Sequence, residues 1–170
     1  MGRRLLFSLV AILAAGLCES AIAQNNTMRF GIGTGLVLNP SNDSIADDEV
    51  GLAVLIRLSK PVNADVSLAA GVGLFAFAFN GTEHADYVVN PQVSLVVTLG
   101  GEKRFPYLLA GVGGLFPTDS AENAQFAIHI GYGWIWPMKS ASAFFEINPS
   151  LAFQANSTTI ILPLRIGLIF

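Results

Sequence analysis

Cysteine occurs once in the 170 residues, at Cys18, so no disulfide can form within the chain. Charge is scarce too: 9 Lys and Arg stand against 12 Asp and Glu, 12% of the chain in all. That balance offers no basic field for a phosphate backbone, which excludes a nucleic-acid binder. Nor does any stretch beyond residue 23 hold 18 consecutive apolar residues, because Asn, Gln, Ser, Pro or a charge interrupts each candidate. Membrane-spanning helices are thereby excluded. What the chain has in abundance is apolar residues, 52%, with 17 glycines and a net charge of only -3. Disordered chains combine low hydrophobicity with high charge, so this one folds. The excess grease must sit in a large core or on a surface that meets lipid.

Residues 1–23 read as a signal peptide. Arg3 and Arg4 precede an apolar run over 5–17, and Ala21-Ile22-Ala23 supplies the small-x-small pattern of signal-peptidase sites. The run is shorter than the roughly 20 residues that a spanning helix needs. Cleavage is expected after Ala23, leaving residues 24–170 as one domain. Leu17, directly before Cys18, departs from the lipoprotein pattern, and cleavage after Ala23 removes the cysteine.

Period-two alternation runs through eight segments, 28–38, 49–59, 64–79, 87–99, 105–116, 124–136, 142–153 and 158–170. This is strand spacing, not helix spacing. In the first segment Phe30, Ile32, Thr34, Leu36 and Leu38 alternate with Arg29, Gly31, Gly33, Gly35 and Val37. In the sixth, Phe126, Ile128, Ile130, Tyr132, Trp134 and Trp136 oppose Gln125, Ala127, His129, Gly131 and Gly133. Two segments are ambiguous. In 64–79 the even residues from Val66 to Leu74 are apolar, yet Phe75, Phe77 and Phe79 are odd. Either a β-bulge near Gly73 flips the faces or these rings fill an interior. The glycine-rich segment 105–116 leaves its parity open. Tilted strands of about ten residues can cross a bilayer, and an even number can close antiparallel. Polar loops at 40–48, 80–86, 117–123 and 154–157 alternate with tight turns at 60–63, 100–104 and 137–141, so loops and turns lie at opposite ends.

Charge placement tests whether the apolar face meets lipid, since an ionised group there costs about 2 to 4 kcal/mol near the midplane. Arg29, Glu49, Arg57, Asp65, Glu146 and Arg165 all lie opposite the apolar set. A water-soluble sandwich would spread charge thickly over that second face, which here is mostly Gly, Ala, Ser and Asn. Small residues suit a narrow lumen. Phe30, Tyr107, Trp134, Trp136, Phe145 and Phe170 near the turns, with Tyr87, Phe116, Phe126 and Phe153 near the loops, predict two interfacial girdles. The expected fold is all-β: a transmembrane antiparallel up-and-down barrel of eight strands.

The signal, the eight segments and the closing run with Leu164, Ile166, Leu168 and Phe170 resemble a small bacterial outer-membrane β-barrel of the OmpA-like or opacity-like kind. In that family such a run, ending on an aromatic, is similar to the signal read by the barrel-assembly machinery. Phe105-Pro106-Tyr107 leading into Gly111-x-Gly113 also looks like a strand start common among these barrels. The resemblance covers residues 24–170 and is architectural, apart from the last strand. It implies a place in the bacterial outer membrane, contact with its lipid and lipopolysaccharide, periplasmic turns and four outer loops. Short loops argue against adhesin-like or invasin-like roles. A monomer is expected.

An eight-stranded barrel has room inside for side chains and little else, so a plugged lumen is expected. If strands one, two, seven and eight adjoin, Arg29, Arg57, Glu146 and Arg165 project inward together in the half nearer the turns, and Glu146 should bridge at least one arginine. His129 faces inward, roughly level with Asn148 if the tight turn sets the pairing; Ser150 and Glu146 share that parity on the next strand. The histidine-x-serine-asparagine pattern of outer-membrane lipid A deacylases is absent around His129. His84, beside Glu83 and Asp86, reads as solvated. The loops hold Asp43, Asp47, Asp48, Glu83, Asp86, Asp119 and Glu122 with no Lys or Arg, whereas Lys60, Lys103, Arg104 and Lys139 fall in the turns. Asp43, Asp47, Asp48 and Glu49 form the strongest candidate for calcium or magnesium, hard cations that take clustered carboxylates, but lack the spacing of a calcium loop. No cofactor, metal site or catalytic residue is therefore expected. The expected role is structural or surface interaction without enzymatic activity, the alternatives being a narrow channel or small-ligand carrier, or a lipid-modifying enzyme.

Overall fold

The computed structural model describes residues 27–40, 49–77, 86–100, 105–118, 124–155 and 157–170. Residues 1–23, and with them the expected signal and Cys18, lie outside the described residues. Nine strands and no helix occur among those described: β1 (Arg29–Leu38), β2 (Val50–Pro61), β3 (Val66–Phe77), β4 (Asp86–Thr98), β5 (Phe105–Pro117), β6 (Gln125–Pro137), β7 (Ser142–Ile147), β8 (Ser150–Gln154) and β9 (Ser157–Ile169). From β1 to β7 each strand pairs antiparallel with its successor, β7 and β8 both pair with β6 and β9, and β9 returns to pair with β1, from Gly31 opposite Ile169 to Leu38 opposite Leu162. Beyond β9 the chain stays tied to β1 through two backbone bonds, Phe30 N to Phe170 O at 3.1 Å and Phe170 N to Phe30 O at 2.8 Å.

β7 and β8 are two halves of one stave, so the nine strands make an eight-stave barrel. The break falls at Asn148 and Pro149, where proline has no N–H to give the ladder. Register does not slip across it: β6 pairs Tyr132 with Ile147 before the break and His129 with Ser150 after it. The Pro149 carbonyl still accepts from Ile130 N at 3.2 Å, and Asn148 N donates to the Pro163 carbonyl at 3.1 Å.

Alternation sorts the side chains as a strand must. Ile32, Leu36, Leu52, Val54, Ile56, Leu58, Val72, Leu74, Leu108, Val112, Phe126, Ile128, Ile130, Leu151, Ile160 and Ile166 all lie exposed on the outer face. Thr34 shares that face, and its hydroxyl donates to the Ala53 carbonyl at 3.1 Å, so no outward polar hydrogen there is left unpaired. Near the turns Trp134 stacks on Phe145, centroids 5.8 Å apart, and meets Tyr132 edge-on at 4.6 Å. Tyr107 does not join this girdle as the sequence suggests; it points inward and is buried.

Both ambiguous strands resolve without a bulge. The β2–β3 pairing runs unbroken from Gly51 opposite Phe77 to Pro61 opposite Ser67, so Phe75 and Phe77 fill the interior while Val72 and Leu74 face out. Phe79 lies outside the described residues. In β5 the odd residues Tyr107, Leu109 and Leu115 are the buried set. Glycines make room for such rings: a Cβ on Gly33 would lie 2.8 Å from Phe144 Cζ.

Toward the loops the interior holds an apolar layer. Val37, Ala53, Phe75, Phe77, Val88, Leu115, Ala127, Ala152 and Ile161, drawn from every stave, form one apolar cluster in which none is more than 1% exposed. The small-and-polar lumen expected from composition is interrupted by this layer, although Asn39, Gln125 and Thr159 keep buried polar groups in the loop half as well.

Candidate functional site

Below that apolar layer sits a cluster that ties staves across the barrel. Glu146 on β7 and Arg165 on β9 are direct register partners, while Arg57 on β2 and Tyr107 on β5 reach in from elsewhere on the wall. Arg57 grips the carboxylate with both ends of its fork, Nη1 to Oε2 at 2.7 Å and Nη2 to Oε1 at 2.8 Å. The Tyr107 hydroxyl donates to Oε2 at 2.8 Å. Arg165 Nη1 approaches Oε1 at 3.4 Å. Glu146 and Arg165 side chains are 0% exposed, and Arg57 is 12% exposed. Bidentate, charge-assisted bonds of this kind are the strong ones, and a buried carboxylate requires them. The structure thus brings together three of the four residues of the expected cluster. Arg29 stands apart: it opposes Ser59 at the very end of β1 and is exposed.

Tyr107 was not among the expected members. Its signal lay in the glycines, since Gly111 and Gly113 share its parity and glycine crowds onto a narrow inner face. Gly133, its register partner, has the tyrosine hydroxyl 2.6 Å from where a Cβ would stand. The Phe145 carbonyl oxygen lies equally close, 2.5 Å from that Cβ, so Gly133→Ala should push Tyr107 off Glu146, strain the β6–β7 ladder and destabilise the barrel by about 1 to 3 kcal/mol, the usual cost of overpacking. Urea unfolding of the refolded variant measures this; an unchanged midpoint would show that the ring and the Phe145 backbone both relax freely.

Above the cluster lies a belt of amides and hydroxyls. Asn148 Nδ2 donates to Gln92 Oε1 at 3.4 Å, Asn90 Nδ2 to the Gly114 carbonyl at 2.9 Å, and Ser150 Oγ to the Asn148 carbonyl at 3.5 Å. His129 is opposite Ser150 rather than level with Asn148, because the four-residue connection 138–141 sets the pairing two residues further along. Its ring meets a different serine: Ser94 Oγ lies 2.9 Å from Nε2, across β5. A serine bonded to an imidazole is where nucleophilic catalysis starts. Both residues are buried here, and among the described residues no carboxylate bonds the other ring nitrogen.

The proposed cation ligands are not brought together in what is described. Asp43, Asp47 and Asp48 lie outside the described residues, Glu49 is exposed, and no group of three His, Cys, Asp or Glu occurs among those described. Glu83 and His84 also lie outside. Leu164, Ile166 and Leu168 occupy β9 and, with Phe170, point outward, Ile166 and Phe170 each 58% exposed.

No protein-family model and no curated protein matches the chain. Solved structures do. Neisserial surface protein A aligns over 86% of this chain and 98% of its own, at 11% identity and a TM-score of 0.69. The N-terminal β-barrel domain of Pseudomonas aeruginosa OprF aligns over 86% and 100%, at 14% identity and a TM-score of 0.55. The outer membrane enzyme PagL aligns over 82% and 98%, at 12% identity and a TM-score of 0.52. With its closed ring of eight antiparallel staves, the chain has the fold of the small outer-membrane β-barrels.

Proposed function

We propose that the protein is an integral protein of the bacterial outer membrane, exported by its N-terminal signal, whose closed lumen serves a structural or surface-interaction role without catalysis. Lipid and lipopolysaccharide are its surroundings, and the assembly machinery recognises the Leu164, Ile166, Leu168 and Phe170 face. The observation that carries the closed lumen is the stacking of two barriers, the apolar layer near the loops and the Glu146 cluster beneath it. An ion crossing the first must shed its hydration among packed apolar side chains, beside which stand only a few buried polar groups such as Thr159. The lipid-facing reading is supported by an outer wall on which β2 and β6 expose apolar side chains through their whole middle. PagL shows that this fold can carry an enzyme. Against that reading here stands the burial of Ser94 and His129 inside the wall, out of reach of a lipid substrate.

Planar-bilayer recording tests the closed lumen, on protein first shown to be folded by its heat-dependent mobility on SDS gels. We expect a mobility shift on boiling and a quiet bilayer at every voltage. Reproducible unitary steps would replace the plugged reading with a narrow channel; no mobility shift would remove the barrel itself.

A further inference from the structure

On the outer wall, the hairpin of β6 and β7 carries aromatic rings that lead up to a lysine. Trp136 on β6, Ala143 on β7 and Leu168 on β9 are neighbours in one row, and one step nearer mid-wall Trp134, Phe145 and Ile166 form the next. All six share the outward parity, since Phe144 and Glu146, which alternate with Ala143 and Phe145, are buried. In the first row two large side chains flank a single methyl group. The wall therefore has a notch floored by Ala143 and sided by Trp136 and Leu168, both of them exposed. Below it Trp134 and Phe145 stack with centroids 5.8 Å apart, and Tyr132 meets Trp134 edge-on. The rings are held against one another, so this side of the notch is formed in advance of any occupant.

Beyond the rings the hairpin turns through residues 138–141, closed by Met138 N donating to the Ala141 carbonyl at 2.9 Å, with Lys139 and Ser140 exposed at its tip. From Tyr132 to Phe145, Lys139 is the sole charged residue, and among the described residues no carboxylate pairs with it. Tryptophan rings lie at the boundary between headgroups and acyl chains. A lysine three residues past Trp136 then stands among the phosphates, with its stem along apolar surface. Charge at this end of the barrel leans positive: the described side chains of the rim offer Arg29, Lys60 and Lys139 against Asp65. The connections at the opposite end hold no Lys or Arg. The turn rim is thus the end that complements an anionic surface.

We propose that the β6–β7 hairpin docks an anionic phospholipid, its phosphate on Lys139 and an acyl chain in the Ala143 notch between Trp136 and Leu168. The inference rests on the membrane reading above and names the headgroup class that this part of the wall selects. Trp134 and Trp136 are the two tryptophans of the chain, so their emission reports the site directly. The test is quenching of that emission in phosphatidylcholine vesicles to which phosphatidylglycerol or phosphatidylcholine with brominated acyl chains is added, the ratio of the two giving the relative affinity. Wild type should prefer phosphatidylglycerol about fivefold at low ionic strength, the worth of one lysine at an anionic lipid surface. The preference should shrink toward one at about 1 M salt, where the Debye length is about 3 Å. Lys139→Gln should abolish it and keep the heat-dependent gel shift, whereas Lys60→Gln, four staves away around the ring, should leave it unchanged. Ala143→Phe fills the notch and should lower it at least twofold with the charge intact. Equal quenching by both lipids in wild type, a preference that survives Lys139→Gln or Ala143→Phe, or one lost with Lys60→Gln as well, overturns the site. Quenching by neither lipid with the gel shift intact would give the face to a second copy of the chain; with the gel shift lost, it is the membrane reading that fails.

Discussion

Glu146→Ala is expected to destabilise the folded barrel by about 3 to 5 kcal/mol, the loss seen when one partner of a buried ion pair is removed and the other charge stays behind. Here the penalty has three parts. Arg57 loses both fork contacts, Tyr107 loses its acceptor, and Arg165 loses its only carboxylate. Two guanidiniums then face each other in a medium of low polarity. Glu146→Gln preserves shape and should cost nearly as much, because the charge is what the arginines need. Replacing all three, with Arg57→Met, Glu146→Leu and Arg165→Met together, should recover most of the loss, since apolar groups of similar volume often match a buried ionic set. Urea unfolding in phospholipid vesicles separates these cases. A loss under 1 kcal/mol for Glu146→Ala would mean that the cluster is wet and the interior open to water.

The second large effect is expected on the outside. Ile130 lies near the middle of β6 and is 65% exposed, so in water Ile130→Arg would be close to neutral, within about 0.5 kcal/mol. Facing hydrocarbon at the midplane it should cost about 2 to 4 kcal/mol. Val62 is almost as exposed, at 62%, but sits in the 62–65 turn; Val62→Arg should be tolerated in either setting. The difference between the two variants in vesicles, and its disappearance if the protein is water-soluble, decides which solvent wets the wall. Equal, small effects would remove the membrane assignment.

Much of this was legible in the sequence because a strand obeys one rule, alternation, and a bilayer enforces a second, no charge outward. Those two rules sent Arg57, Glu146 and Arg165 inward and gave β1, β6 and β9 their faces. Arg29 obeys the parity but fails on depth: at the end of its strand, an inward direction no longer means an enclosed place. Phe75, Phe77 and Tyr107 were illegible for the opposite reason. On strands with apolar residues at both parities, hydrophobicity stops distinguishing lipid from lumen, and only the glycines opposite betray which side is crowded. The Ser94–His129 contact depends on how the staves stagger around the ring, which is a property of the whole sheet. The apolar layer, too, needs eight staves aligned before its nine residues become neighbours. The expected signal over 1–23 and the acidic residues at 43, 47 and 48 lie outside the described residues.

Return of β9 to β1 has one more consequence. An open sheet ends in a row of free N–H and C=O groups, and such a row is a template onto which a foreign strand can add. This ring offers no such row through the length of its staves. Association through strand addition, whether with a second copy or with a peptide, is thereby closed off along the wall, and any partner must be recognised by side chains on the outer surface or by the loops.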